Sequence, residues 1–282
     1  MNASWLIKRL LILLGIAAIF LIPFIPKDSF ASLSSGLSPS LSPGASPDTS
    51  LNWAGYNAVG GAYTSITGTW TVPSVTGTVP SADATWVGIG GVTKRDLIQG
   101  GTQAIIDRTG ISYQAWYEAL PGDSITIPLD VNPGDSVTVT ISQATYGTWN
   151  LSFMNNTTGK SYSQSLQYYS SLSSAEWIEE MLSTNRDQFI PLDKFGQVNI
   201  SGSVVKNGQS MTMAQAGATP VTMTSGSLVL ATPSALTSGG SAFTVTRSSA
   251  QSVLSFPGSR RSRRSFFSPF SWNDYVRMMR GF

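Results

Sequence analysis

The side chains that could do chemistry here are few, and two kinds are missing altogether. The 282 residues include no His and no Cys. Hydrolytic chemistry near neutral pH usually draws on those two, because their pKa values lie close to the working pH. Ser-His-Asp and Cys-His arrangements are therefore excluded, and so are zinc sites built on His or Cys. What remains is carboxylates, carboxamides, hydroxyls and lysines. Carboxylates titrate near about pH 4, so an enzyme of this composition is expected to work in acid, with no metal and no cofactor.

Four segments concentrate such groups beside aromatic residues. They are Asn52-Trp53-Ala54-Gly55-Tyr56, then Trp86-Val87-Gly88-Ile89-Gly90-Gly91 leading to Leu97-Ile98-Gln99-Gly100-Gly101-Thr102, then Tyr113 to Pro121, then Ala175-Glu176-Trp177-Ile178-Glu179-Glu180. Together they have the makeup of a partly apolar cleft with a few polar groups in it. Taken singly, each has a plain structural reading. Adjacent acids such as Glu179 and Glu180 are commonly a solvated strand end, a strand Gln is commonly a surface group, and Trp53, Trp86, Trp116 and Trp177 could simply pack. The glycines Gly88, Gly90, Gly91, Gly100 and Gly101 read as turns and bulges. No helix follows them, so helix-terminus phosphate binding has no support.

The elements that must position these groups are strands. From residue 51 to about 246, short runs rich in Val, Ile, Thr, Tyr and Trp alternate with Gly, Pro, Asn and Asp turns. Runs at Ala62–Val72, Ala84–Ile89, Ile111–Glu118, Ser124–Leu129, Ser136–Gln143, Trp149–Asn155, Ser161–Tyr168, Glu176–Met181, Gln197–Val204, Met211–Met213, Gly226–Leu230 and Phe243–Arg247 are the expected strands. Pro-Gly-Asp at 121–123 and 133–135 marks turns, and Asn155 to Gly159 marks a hairpin loop. Only Asp187–Phe195 hints at a helical turn or loop excursion. The fold class is all-β, an antiparallel sandwich or barrel in one domain.

Both ends differ from this body. Residues 1–31 read as an export signal: Lys8 and Arg9, an apolar run from Leu10 to Ile25, and Ser29-Phe30-Ala31 as a cleavage site. The rival is an uncleaved anchor, although the run is short for a span of ~20 residues. Residues 32–50 are a Ser/Pro-rich linker or short propeptide, residues 51–246 the domain, and residues 247–282 a basic, aromatic tail. The body carries 7 Lys/Arg against 12 Asp/Glu, a balance of −5, while the tail carries seven Arg and one Asp. Charged residues are 11% of the chain, against roughly 25% in an average soluble protein. A fold with few ionised carboxylates has little to lose as the pH falls. The formal net charge of +2 is too small and too confined to the tail to imply nucleic acid.

In this order the motifs resemble the glutamic peptidases, or eqolisins. The resemblance runs from about Asn52 to Val204: N-W-A-G-Y at 52–56, W-V-G-I-G-G at 86–91, L-I-Q-x-G-T at 97–102, Y-x-A-W-Y-E at 113–118, P-G-D at 133–135 and A-E-W-I-x-E at 175–180. It implies a sandwich of two large, curved antiparallel sheets, jelly-roll or concanavalin-like. It also implies an acid endopeptidase acting on proteins or peptides; with the export signal the enzyme is expected to be secreted, and it is expected to be a monomer. The catalytic pair falls on Gln99 and Glu180. Trp53 and Trp86 match aromatics lining the cleft, and Glu118 matches a neighbour of the pair. Glu180 would take a proton from the attacking water and return it to the leaving amine, and Gln99 would donate N–H to the oxyanion.

The sequence departs from the pattern in places. It lacks the cysteines of the fungal members, and Gly90 and Gln103 stand where those have aspartates. Position 179, usually apolar in the family, is Glu. In a strand 176, 178 and 180 share one face and 177 and 179 the other. With Glu180 in the cleft, Glu179 would point at the core beside Trp177, and a bulge, a strand edge or exposure must relieve it. Two other functions fit the residues alone: a β-sandwich glycoside hydrolase using Glu118 and Glu180, and a non-catalytic carbohydrate-binding or adhesion module.

Overall fold

The computed structural model describes residues 48–183 and 188–249. The expected export segment, most of the expected linker and nearly all of the tail lie outside the described residues. Among the described residues there is no helix, and the sixteen strands come in chain order. They are β1 (Asp48–Ser50), β2 (Trp53–Val59), β3 (Tyr63–Thr71), β4 (Ser81–Gly90), β5 (Leu97–Asp107), β6 (Gly110–Ala119), β7 (Ile125–Thr126) and β8 (Ser136–Thr145). The second half is β9 (Thr148–Asn155), β10 (Ser161–Gln167), β11 (Ser174–Glu180), β12 (Gln197–Lys206), β13 (Gln209–Thr212), β14 (Thr219–Ser225), β15 (Leu228–Pro233) and β16 (Ala242–Arg247).

These strands form one open ribbon in the order β10-β9-β8-β3-β12-β16-β15-β14-β2-β11-β4-β5-β6-β7, with β1 added to β14 and β13 to β12. Apart from the parallel β1–β14 pair, every pairing is antiparallel. The ribbon doubles back so that β3 and β8 lie against β4 and β5, and β11 lies against β3 and β12. That is the expected antiparallel sandwich, with one core between its layers.

The layers differ in burial. β9 alternates buried and mostly exposed residues and β8 buried and half-buried ones, as strands with one more open face do. β4 is buried throughout, β5 all but its last residue, and β11 all but Glu180. These strands have cover on both faces, and they carry two of the four segments singled out in the sequence, the other two lying on β2 and β6. Trp177 of β11 fills the space between the layers, and its Nε1 donates to Thr67 O across them at 2.9 Å. The indole fits because β3 and β12 present paired glycines there, Gly68 and Gly202, and a methyl on Gly202 would meet it.

Gly100 and Gly101 correct the sequence reading. They sit inside regular β5 rather than in a turn or bulge. Gly100 leaves room for the Phe153 ring from the opposite layer, and Gly101 for Trp86 on the other face. The expected strand at Ser124–Leu129 shrinks to the two residues of β7, while β1 begins structure three residues ahead of Leu51. The described part of Asp187–Phe195 is a loop excursion stitched to the sheet at Leu192 and Lys194.

Candidate active site

Strand alternation sorts the motif residues onto two faces. On β11, Ala175 and Trp177 enter the core between the layers, while Ile178 joins Ala84, Trp86, Leu97 and Trp116 in a separate apolar cluster on the other face. Trp53, Leu120 and Leu182 pack against that second cluster. Register places Glu180 opposite Trp53 of β2 and Ala84 of β4, and Gln99 of β5 opposite Glu118 of β6 and Gly88 of β4. All five site residues expected from the sequence, Gln99, Glu180, Trp53, Trp86 and Glu118, therefore lie on this one face. Its apolar floor is Ile178, Trp86 and Trp116.

Glu180 is held by uncharged donors. Its Oε1 accepts from Asn52 Nδ2 at 2.8 Å and Trp53 Nε1 at 3.1 Å, and its Oε2 from Trp86 Nε1 at 2.7 Å. Trp53 and Trp86 stand edge to face, 5.2 Å between ring centroids, so both indole N–H groups converge on the carboxylate. The carboxyl keeps some exposure but sits among dense neighbours. Burial pushes its pKa up to about 7, aided by the charge of Glu118 and opposed by the three donors.

Gln99 and Glu118 form the second half of the site. Gln99 Nε2 donates to Glu118 Oε2 at 2.5 Å, and Gln99 Oε1 is buried with no partner. Burial raises the pKa of Glu118, the Gln99 amide lowers it, and the charge of Asp123 raises it further. No direct hydrogen bond joins Gln99 to Glu180; each is held by its own neighbours.

The two other acids of the A-E-W-I-x-E segment are wholly buried. Glu176 shares the face of Glu180, and burial holds its pKa well above the ordinary range. Glu179 points the opposite way, beside Trp177, as alternation requires. No bulge relieves it, since β11 keeps its register with β2 and β4, and it is not exposed. The relief is protonation. Glu179 accepts from Thr85 Oγ1 at 2.7 Å and lies against Asp83, which also meets Asp193. Two carboxyls can hydrogen-bond only when one carries a proton. Burial raises all three, Asp83 to about 6 and Asp193 to about 9. Contact with Glu179 and Asp193 lowers the pKa of Asp83 and raises those of its two partners.

Sequence reasoning gave Asn52 no role of its own. It was visible as the first residue of N-W-A-G-Y, but its partner lies 128 residues away. Among the described residues no cluster of acids has the arrangement of a metal site.

Residues 51–247 match the model of the Peptidase A4 family. Among solved structures, scytalido-glutamic peptidase with a transition state analog inhibitor is similar at a TM-score of 0.63 and 24% identity, over 70% of this chain and 98% of that one. SCP-B, a member of the eqolisin family in a complex with the tripeptide Ala-Ile-His, is similar at 0.59 and 25%, over 70% and 98%. Aspergilloglutamic peptidase from Aspergillus niger gives 0.54 and 25%, over 60% and 99%. No curated protein matches the chain by sequence.

Proposed function

The chain belongs to the Peptidase A4 family and is a glutamic endopeptidase, and on that premise we propose that it is secreted and cuts proteins in acid with Glu180 and Gln99. In this reading a water on the site face attacks the peptide carbonyl while Glu180 takes its proton. Gln99 donates an N–H to the oxygen that becomes negative. Glu180 then gives the proton to the amine as the C–N bond breaks. Glu118 holds the Gln99 amide, and Trp53 and Trp86 hold Glu180.

The observation that carries the reading is the cage around Glu180. A carboxyl buried enough to have its pKa pushed up to about 7 still receives three hydrogen bonds suited to its ionised form. That is the environment of a base, and the donors keep the same charge at every working pH. Burial raises that pKa and the three donors lower it, so the donors are what extend the ionised base toward acid. Glu118 is engaged with Gln99, which supports a role in positioning rather than as one acid of a glycosidase pair.

The test is hydrolysis of denatured protein by the purified enzyme between about pH 3 and pH 7, with Glu180→Gln as the control. Cleavage that survives in the variant would sink the assignment. Export is tested by sequencing the N-terminus of the mature protein, expected at or after Ser32. Retention of residues 1–31 on a membrane-bound product would replace the signal with an anchor.

A further inference from the structure

The two oxygens of Glu180 are not equivalent. Oε1 accepts two hydrogen bonds, from Asn52 Nδ2 and Trp53 Nε1, and Oε2 accepts one, from Trp86 Nε1. A carboxylate oxygen offers two lone-pair sites. Oε1 is therefore full, and Oε2 has one site left. We propose that Asn52 is a positioning residue of the hydrolytic reaction: by filling Oε1 it makes Oε2 the atom that takes the proton from the attacking water, and it holds Glu180 in the ionised form. The proposal rests on the reading of Glu180 as the base.

Asn52 is itself held for this task. Ser50 Oγ donates to Asn52 Oδ1 at 3.3 Å, so the carbonyl end of the amide is occupied and the NH₂ end is turned to Glu180. The same Ser50 Oγ accepts from the backbone N–H groups of Asn52 and Trp53 at 3.3 Å and 3.1 Å. Met181 N donates to Asn52 O at 2.8 Å, tying this turn to the residue after Glu180. Ser50 is the last residue of β1, which is paired with β14. A short strand ahead of the first motif thus fixes the orientation of one amide at the base.

The electrostatic setting gives that amide its effect. Among the described residues, Glu118 of β6 is the charged group that bears on Glu180, while Glu176, two residues back on the same face of β11, is wholly buried and its pKa is held well above the ordinary range. The neighbours facing it from β2 and β4, Trp53, Ala84 and Trp86, and Asn52 ahead of β2, are uncharged, as is Gln103 of β5 in the same register row. Burial and Glu118 favour the protonated acid, and only the three donors favour the base. Removing one must move the balance toward the acid, which a purely structural role would not do.

The experiment is the pH dependence of kcat/KM for Asn52→Leu, which keeps the size and deletes the donor, and for Ser50→Ala, which frees the amide. Glu180→Gln is made in parallel, and all variants are checked by thermal melting. In Asn52→Leu the acid limb should move to higher pH by about one unit, as expected for one lost hydrogen bond to a carboxylate. KM should change little, and most of the activity should return above the limb. Ser50→Ala should move the limb the same way by less. Should Asn52→Leu fail to fold, Ser50→Ala decides by the same readout. An unmoved limb, or a uniform loss at every pH, overturns the proposal. If Glu180→Gln remains active, it is the reading of Glu180 that fails. If Glu180→Gln is inactive while the limb stays in place, only the role of Asn52 fails.

Discussion

Glu179 and Glu180 are consecutive on β11 and face opposite ways, one into the core against Asp83 and the other onto the site face beneath two tryptophans. One chemical group thus meets two environments within a single peptide unit. Among carboxyls, Glu179 can be stable only as an acid. Among N–H donors, Glu180 can be stable as a base. The strand is a partition between a place that favours the proton-bearing form and a place whose donors favour the ionised form.

Glu180→Gln should lower peptide hydrolysis by about 10²–10⁴-fold, the range for loss of a general base. Steady-state kinetics on a denatured protein substrate is the measurement, with native-like melting as a condition. Glu176→Gln and Glu179→Gln are the controls. If one of them is dead while Glu180→Gln keeps near-full activity, the base has been assigned to the wrong acid of the segment.

Gln99→Ala should cost about 3 kcal/mol of transition-state stabilisation, roughly a hundredfold or more in kcat. Gln99→Glu should lose activity and shift its pH profile as well, because the new carboxyl would face Glu118 at the 2.5 Å contact and the pair would share a proton. Glu118→Gln should be milder, since it disturbs only the holder of the amide. Full activity of Gln99→Ala would remove the carboxamide from the mechanism.

Stability should fall as the pH rises. The folded pKa values of Asp83, Glu179 and Asp193 lie above their unfolded values, so folding takes up protons. The stabilisation is complete below about pH 4, where the unfolded carboxyls are protonated too. It is lost as the pH climbs through the folded values, about 6 for Asp83 and about 9 for Asp193. A series of melting temperatures against pH should decline across that window, and Asp193→Asn should flatten the decline. A curve that rises toward neutral pH would contradict the protonated cluster.

Gly202→Ala should destabilise the domain by about 1–3 kcal/mol, the usual cost of overpacking a filled core. The added methyl would meet the Trp177 indole and the Thr67 carbonyl, and would threaten the hydrogen bond between them. Urea unfolding at acid pH measures the loss. A neutral result would mean that the layers can separate there without cost.

Local signals were read well and distant partners poorly. Strands with one wet face, such as β8 and β9, announce themselves by alternation. β5 does not: L-I-Q-G-G-T-Q-A-I-I-D is buried on both faces, and its glycines are spacers for Phe153 and Trp86 rather than breaks. The candidate residues were legible as a set because motif order supplied them, and period two put them on one face. The fate of Glu179 was not, because it depends on Asp83 and Asp193, which only the folded sheet brings alongside. The same holds for Asn52.

β11 lies between β2 and β4 in the ribbon, and Trp53 donates to a carboxylate 127 residues further along. The two tryptophans therefore wait, during synthesis, for a strand that has not yet been made. Until residue 180 is available, β2 and β4 lack the strand that lies between them. Pairings this distant in sequence form late in folding. On the proposed roles of Glu180 and Gln99, a half-made chain would have no means to cut, and that capacity would arrive only with the closing of the sheet.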